Sequence, residues 1–126
     1  MLDSKHTDQP EKIVEISVRR VGKVTILDVS GPMSIARGHV LREKFRASLE
    51  DVRPLYIFNL VAVPYMDSGA LAEMVACLKR VRDRDGGLKL VVTPAGKIEE
   101  IFRLTALDRV FETYDDEEAA LASFIP

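Results

Sequence analysis

Strand and helix follow each other most clearly in residues 55–87, which read LYIFNLVAVPYMDSGALAEMVACLKRVRDRDGG. Leu55 to Val61 is the most apolar run of the chain, which predicts its most buried strand. After Asp67-Ser68-Gly69, apolar residues recur every three or four positions, which predicts a helix that Gly86-Gly87 closes. We predict that the core face of this helix consists of Leu71, Met74, Val75, Leu78 and Val81.

The sequence before this unit predicts two strands and a helix. From Ile13 to Arg19, apolar and polar residues alternate, as they do in a half-exposed strand, and Val14, Ile16 and Val18 are predicted to share its apolar face. Val21-Gly22-Lys23 reads as a turn, and Val24 to Val29 reads as a second strand. A helical period then predicts that Leu41, Phe45, Leu49 and Val52 share one helix face, with Pro54 ending the helix.

The sequence after residue 87 repeats the alternation. Leu88 to Val92 predicts a buried strand, and the spacing of Ile98, Ile101, Phe102 and Thr105 predicts a third helix. Val110 to Tyr114 reads as a short strand. The acidic residues 115–118 then open a last helix, where they suit the positive end of the helix dipole.

This order of elements predicts an α/β fold with a mainly parallel sheet of about five strands and about four helices. The first strand, joined to the second by a tight turn, is expected to be antiparallel. We interpret residues 1–12 as a flexible N-terminal tail, because they show no periodicity. Residues 13–126 are predicted to form one domain.

Composition excludes several classes of protein. The 126 residues include 47% hydrophobic and 30% charged residues, a balance typical of a globular domain. A net charge of −2 argues against nucleic-acid binding through a broad basic face. No apolar run approaches the ~18 residues of a membrane span. The single cysteine excludes an internal disulfide and fits a reducing compartment, so we expect a cytoplasmic protein.

Residues suited to catalysis or to metal binding are sparse. His6, His39 and Cys77 have no metal-site spacing, and we read Cys77 as a small packed thiol off the main apolar stripe of its helix. The sequence contains no nucleophile elbow, Walker loop or dinucleotide fingerprint. We therefore predict a non-enzymatic protein with no cofactor and no metal.

The segment Val63 to Leu71 is the most informative part of the chain for function. It runs from the most buried strand into a helix, at the sheet edge where α/β proteins usually bind ligands. Ser68 places a hydroxyl where the helix N-terminus would tolerate a phosphate. Asp67 and Ser68 are also preferred N-cap residues, and spacing alone favours that structural interpretation.

The chain resembles a STAS domain, the fold of bacterial anti-sigma factor antagonists. The resemblance rests on Tyr65-Met66-Asp67-Ser68 leading into Leu71, on residues 104–111 followed by Asp115 and an Ala-rich last helix, and on Val29-Ser30-Gly31. It covers nearly all of the chain after residue 12.

The resemblance implies a partner switch. In this family the unphosphorylated antagonist captures an anti-sigma factor that is also a serine kinase, and thereby frees the sigma factor. The kinase phosphorylates the serine that corresponds to Ser68, the complex separates, and a phosphatase resets the switch. We expect a monomer or weak homodimer. The predicted partner-binding residues are Gly31, Met33, Ser34, Tyr65, Met66, Asp67, Ser68 and Gly69.

Two departures from the family pattern leave alternatives open. Gly69 and Ala70 stand where a second Ser or Thr and a Gly are common, and Pro32-Met33-Ser34 lacks an acidic residue often found there. A STAS scaffold subunit of a signalling or lipid-transport complex, without a switch, is the first alternative. A receiver domain is a second alternative, but it would need an Asp at the place held by Phe58-Asn59-Leu60. A nucleotide-binding enzyme is a third, but the sequence offers no identifiable catalytic group for it.

Overall fold

Alternating apolar segments pair into one five-stranded sheet in the order β1-β2-β3-β4-β5. A computed structural model describes residues 13–34, 38–50 and 52–125, so the predicted tail lies outside the described residues. The strands are β1 (Glu15–Val21), β2 (Val24–Ser30), β3 (Leu55–Ala62), β4 (Gly87–Val91) and β5 (Glu112–Tyr114). β1 pairs antiparallel with β2, and the remaining neighbours pair in parallel.

Four α-helices connect or follow these strands in the described part of the chain. They are α1 (Gly38–Ser48), α2 (Ser68–Arg82), α3 (Lys97–Leu104) and α4 (Glu117–Ala122), with a short 3-10 turn at Leu107–Arg109. The predicted fold class is therefore confirmed: an α/β fold with a mainly parallel sheet, an antiparallel first strand and four helices.

The larger core lies between the sheet and helices α1, α2 and α3. Its centre is an aromatic cluster in which the ring centroid of Phe45 lies 4.9 Å from that of Tyr56 and 6.3 Å from that of Phe58. Tyr56 is 1% exposed, and its hydroxyl is paired with Ser48 Oγ at 2.6 Å. This polar contact keeps a buried hydroxyl satisfied at the end of α1.

The second core covers only part of the opposite sheet face. Ala120 and Leu121 of α4 pack there on Ile26, Ile57 and Val91. Elsewhere on that face, exposed Val21 and Val61 lie among polar residues, and Arg19 on β1 pairs with both Asp28 and Glu117. The sheet is thus packed against three helices on one side and against a single short helix on the other.

Three residues depart from the predicted core. Val18 is 41% exposed because β1 is an edge strand. Val52 is 75% exposed because α1 ends at Ser48, before the predicted stop at Pro54. On α2, which ends at Arg82, Val75 is 37% exposed.

Cys77 occupies the core instead, with 1% exposure. Size and hydrophobicity favoured Val75 for the core face, but the helix is rotated so that the smaller Cys77 faces the sheet. The packed-thiol interpretation of Cys77 is confirmed, and its placement off the stripe is wrong.

Gly31 ends β2 in a backbone conformation that only glycine adopts readily. Its φ is +92°, and a Cβ at this position would lie 2.4 Å from the carbonyl oxygen of Ile13. The N–H of Gly31 donates to the Ala62 carbonyl at 3.1 Å. The turn after β2 therefore depends on the absence of a side chain.

We predict that Gly31→Ala lowers the free energy of unfolding by roughly 2–4 kcal/mol, since it combines a strained φ with a backbone clash. Gly22→Ala is the matched control, because Gly22 has a φ of +60° but no atom within 4 Å of the added Cβ. We expect the control to cost about 1 kcal/mol. Urea unfolding of both variants measures the difference, and equal losses would contradict the clash.

Candidate functional site

The loops that follow β2 and β3 meet at the carboxyl edge of the sheet. Met33 and Met66 form an isolated parallel bridge between them. The N–H of Met33 donates to the Tyr65 carbonyl at 2.9 Å, and the N–H of Asp67 donates to the Met33 carbonyl at 3.1 Å. Two segments more than thirty residues apart in sequence are thereby held as one surface.

The predicted site residues lie on these two loops or, for Ser68 and Gly69, in the first turn of α2, and they differ in exposure. Tyr65 is 51% exposed and Ser68 is exposed as well, whereas Met33 and Met66 are 5% and 2% exposed. The two methionine side chains belong to the core and anchor the loops from beneath. The remaining predicted residues are half-buried: Gly31, Ser34, Asp67 and Gly69.

Asp67 and Ser68 occupy different positions at the start of α2. Asp67 has extended backbone angles, and its Oδ1 accepts a hydrogen bond from the N–H of Ala70 at 2.9 Å. Asp67 is therefore the N-cap, and Ser68 is the first helical residue. Among the residues that the structure describes, Ser68 Oγ has no hydrogen-bond partner, so its hydroxyl is not needed to cap the helix.

An exposed strip continues from Ser68 along α2, which we call the α2 strip. Residues four, seven and eleven positions after Ser68 share its helix face. These residues are Ala72, Val75 and Lys79, and all three are exposed. The sequence reasoning missed this strip because it assigned Val75 to the core, although the 3.6-residue period counted from Ser68 would have found it.

An ion pair fixes helix α1 beside the α2 strip. Arg42 Nη2 lies 3.1 Å from Glu73 Oε1, and Arg42 Nε lies 3.3 Å from Glu73 Oε2. This two-point contact with Glu73 raises the pKa of Arg42. The pair therefore holds α1 in register with the first turns of α2.

The other candidates from the sequence give no site. His39 is exposed on α1, and His6 lies outside the described residues. Within residues 13–34, 38–50 and 52–125, no group of His, Cys, Asp and Glu could hold a metal ion. The same residues include no helix long and apolar enough to span a membrane.

Comparison with known proteins identifies the fold. The family model described as the STAS domain matches residues 15–120. A search of curated proteins gives no match.

Similar solved structures include three anti-sigma factor antagonists. One from Mycobacterium paratuberculosis is 23% identical, with a TM-score of 0.79 over 91% of this chain and 96% of that one. An anti-sigma factor antagonist (STAS) domain protein from Planctomyces limnophilus is 22% identical, with a TM-score of 0.71 over 85% and 96% of the two chains. The antagonist SpoIIAA in its unphosphorylated form is 11% identical, with a TM-score of 0.60 over 88% and 97%.

We predict that Asp67→Ala destabilises the protein by about 1 kcal/mol, because it removes the N-cap acceptor. Ser68→Ala is the adjacent control and is expected to change stability by less than about 0.5 kcal/mol. Urea unfolding of the two variants tests the division of roles. A larger loss from Ser68→Ala would mean that the serine, and not the aspartate, caps α2.

We also predict that the Cys77 thiol is inert in the folded protein. Burial raises its pKa to about 12, so at pH 8 only about one thiol in 10⁴ is ionised. Iodoacetamide should label Cys77 slowly in buffer and quickly in urea. The folded state holds the thiol proton more tightly than the unfolded state does. The resulting contribution to the free energy of unfolding is complete below the ordinary pKa of 9.0 and is lost as the pH rises towards 12. Rapid labelling of the native protein would contradict this placement.

Proposed function

Because this chain belongs to the STAS domain family, we propose that it is an anti-sigma factor antagonist controlled by phosphorylation. In the unphosphorylated form it binds an anti-sigma factor that is also a serine kinase, and it thereby frees a sigma factor. Phosphorylation of Ser68 by that kinase separates the complex, and a serine phosphatase restores the binding form. The protein acts in the bacterial cytoplasm as a regulator and not as an enzyme.

The exposed hydroxyl of Ser68 is the observation that carries the proposal. Asp67 supplies the cap, so Ser68 can be modified without loss of a structural hydrogen bond. Its position beside Tyr65, on an edge formed by two bridged loops, gives a kinase both a substrate atom and a surrounding surface. A serine that served as the cap would instead lose its hydrogen bond to the helix on modification.

The charge of a phosphate supports a change in binding rather than a change in fold. Phosphorylation adds about −1.5 to −2 charges at pH 7. The first turn of α2 tolerates them, because the helix dipole and its free N–H groups favour an anion there. The same charges, next to Asp67, fall in the middle of the proposed docking surface, where they repel an acidic contact and must be desolvated on binding.

The departure at Ala70 does not alter the proposed docking surface. Ala70 is 1% exposed and belongs to the core, so its methyl group points away from an approaching partner. Gly69, which is half-buried, leaves the surface beside Ser68 free of a side chain. The α2 strip extends this surface with Ala72 and Val75, whose apolar side chains suit burial against a protein partner.

We expect intact-mass analysis of protein from the native host, under phosphatase inhibition, to find a species heavier by one phosphate. Peptide mapping should place the phosphate on Ser68, and Ser68→Ala should abolish that species. The kinase captured by Ser68→Ala then serves as the ligand in a binding titration. We expect Ser68→Asp to weaken its affinity by about tenfold or more, because a fixed negative charge stands in for the phosphate.

Ala119→Asp is the charge-matched control, since Ala119 is exposed on α4, on the opposite side of the sheet. It should bind the kinase as the wild type does. Equal binding of wild type, Ser68→Ala and Ser68→Asp would contradict the switch. Such a result, with Ser68 unmodified under growth, starvation and stress, would instead identify a STAS scaffold subunit of a signalling or lipid-transport complex.

A further inference from the structure

Strand β1 forms an exposed outer edge of the sheet. No strand from residues 13–34, 38–50 or 52–125 pairs with its free side. Six of its seven side chains are exposed, including Val18 at 41% and Val21 at 38%, and the preceding Ile13 is 48% exposed. A free edge of this length offers a row of backbone donors and acceptors to another strand.

The β1–β2 hairpin determines which backbone groups of β1 point outward. The two residues Gly22 and Lys23 connect Val21 to Val24, and these two residues are register partners. In a two-residue hairpin the flanking pair exchanges hydrogen bonds, and the following pairs alternate. The N–H and C=O groups of β1 that face away from β2 therefore belong to Ile16, Val18 and Arg20.

We propose that β1 pairs antiparallel with β1 of a second copy of this chain, around a two-fold axis at Ser17. In this register Ile16 lies opposite Val18 of the second copy, so that outward-facing residues meet and can exchange hydrogen bonds. Ser17 lies opposite Ser17 of the second copy. The arrangement continues both sheets into one sheet of ten strands in the described part of the two chains.

Charge pairing selects this register. It sets Glu15 opposite Arg19 of the second copy twice on one sheet face, and it sets the exposed Val18 opposite the buried Ile16 twice on the other. Arg19 already donates four hydrogen bonds to Asp28 and Glu117, which leaves one guanidinium N–H, on Nη1, for a further carboxylate. The next permitted register, with Val18 on the axis, puts Arg19 opposite Ser17 and forms no cross-strand charge pair.

This contact leaves the proposed docking surface open. Because the two β1 strands run in opposite directions, the carboxyl edges of the two sheets point to opposite ends of the dimer. Ser68 follows β3 at the carboxyl edge, so each copy presents its own Ser68 to a separate partner. The dimer proposal is therefore independent of the proposed function, and either one can fail while the other holds.

Sedimentation of the full chain across a range of concentrations tests the association. We expect a reversible monomer–dimer equilibrium, which Glu15→Lys weakens by about tenfold or more, because it places like charges opposite Arg19 twice. Glu100→Lys makes the same charge change at an exposed residue of α3, on the opposite side of the sheet from Arg19 and Glu117. This control should dimerise as the wild type does.

Disulfide trapping tests the register. Ser17→Cys should form a disulfide-linked dimer on mild oxidation, because a non-hydrogen-bonded antiparallel pair has Cα atoms about 4.5 Å apart, within disulfide range. Glu15→Cys is the matched control on the same face. Its two copies would lie about 13 Å apart along the strands, too far to link. The buried Cys77 does not compete for oxidation.

Three results would overturn the proposal. The first is a monomer at every concentration up to the solubility limit. The second is a dimer in which Ser17→Cys fails to cross-link, since that dimer uses another surface or register. The third is dimerisation only after residues 1–12 are deleted, since that result would assign the edge of β1 to the chain's own N-terminal segment.

Discussion

The hydrogen bonds between Met33 and its partners Tyr65 and Asp67 couple the two loops at the carboxyl edge of the sheet. They extend the pairing of β2 with β3 beyond the hydrogen bond between Gly31 and Ala62 and into the loops. The bridge requires that the chain turn sharply at Gly31, where a Cβ would collide with Ile13. It also draws Met33 and Met66 into the core, so the exposed surface rests on buried apolar contacts. The position of α2 follows, since the same bridge holds the N-cap Asp67.

Asp67 and Ser68 have similar capping propensity but differ in position: one caps α2, and the other is the proposed site of modification. The carboxylate of Asp67 satisfies the N–H of Ala70 and holds the helix start whatever the state of its neighbour. Ser68 lies one residue further, with helical geometry and an exposed hydroxyl. A modification at Ser68 therefore changes the charge of the surface while the cap that positions it is retained. Under the proposed function, this separation would let the docking surface change affinity without unfolding.

The pattern of apolar residues was sufficient to predict the sheet, its antiparallel first strand and the four helices, because each element carries its own period. The loop bridge could not be predicted in this way. Nothing local in the sequence indicates that Met33 pairs with Met66, and side chains in loops follow no period that would separate buried from exposed. The two methionines were therefore grouped with Tyr65 and Ser68 as surface residues. Val75 and Cys77 were exchanged for a related reason: hydrophobicity indicates that a helix has a core face, but the rotation of that face is set by the sheet it packs on.

The proposed docking surface and the proposed pairing strand lie on different edges of the sheet. The carboxyl edge carries the bridged loops and Ser68, while the lateral edge is β1, whose exposed side chains include apolar, polar and charged residues. A contact along the lateral edge adds backbone hydrogen bonds in the plane of the sheet and does not touch the loops at its end. Association of two copies would thus leave the charge state of each Ser68 to act on its own partner. The coupling between copies would then come from avidity for a partner that is itself dimeric, and not from a conformational signal through β1.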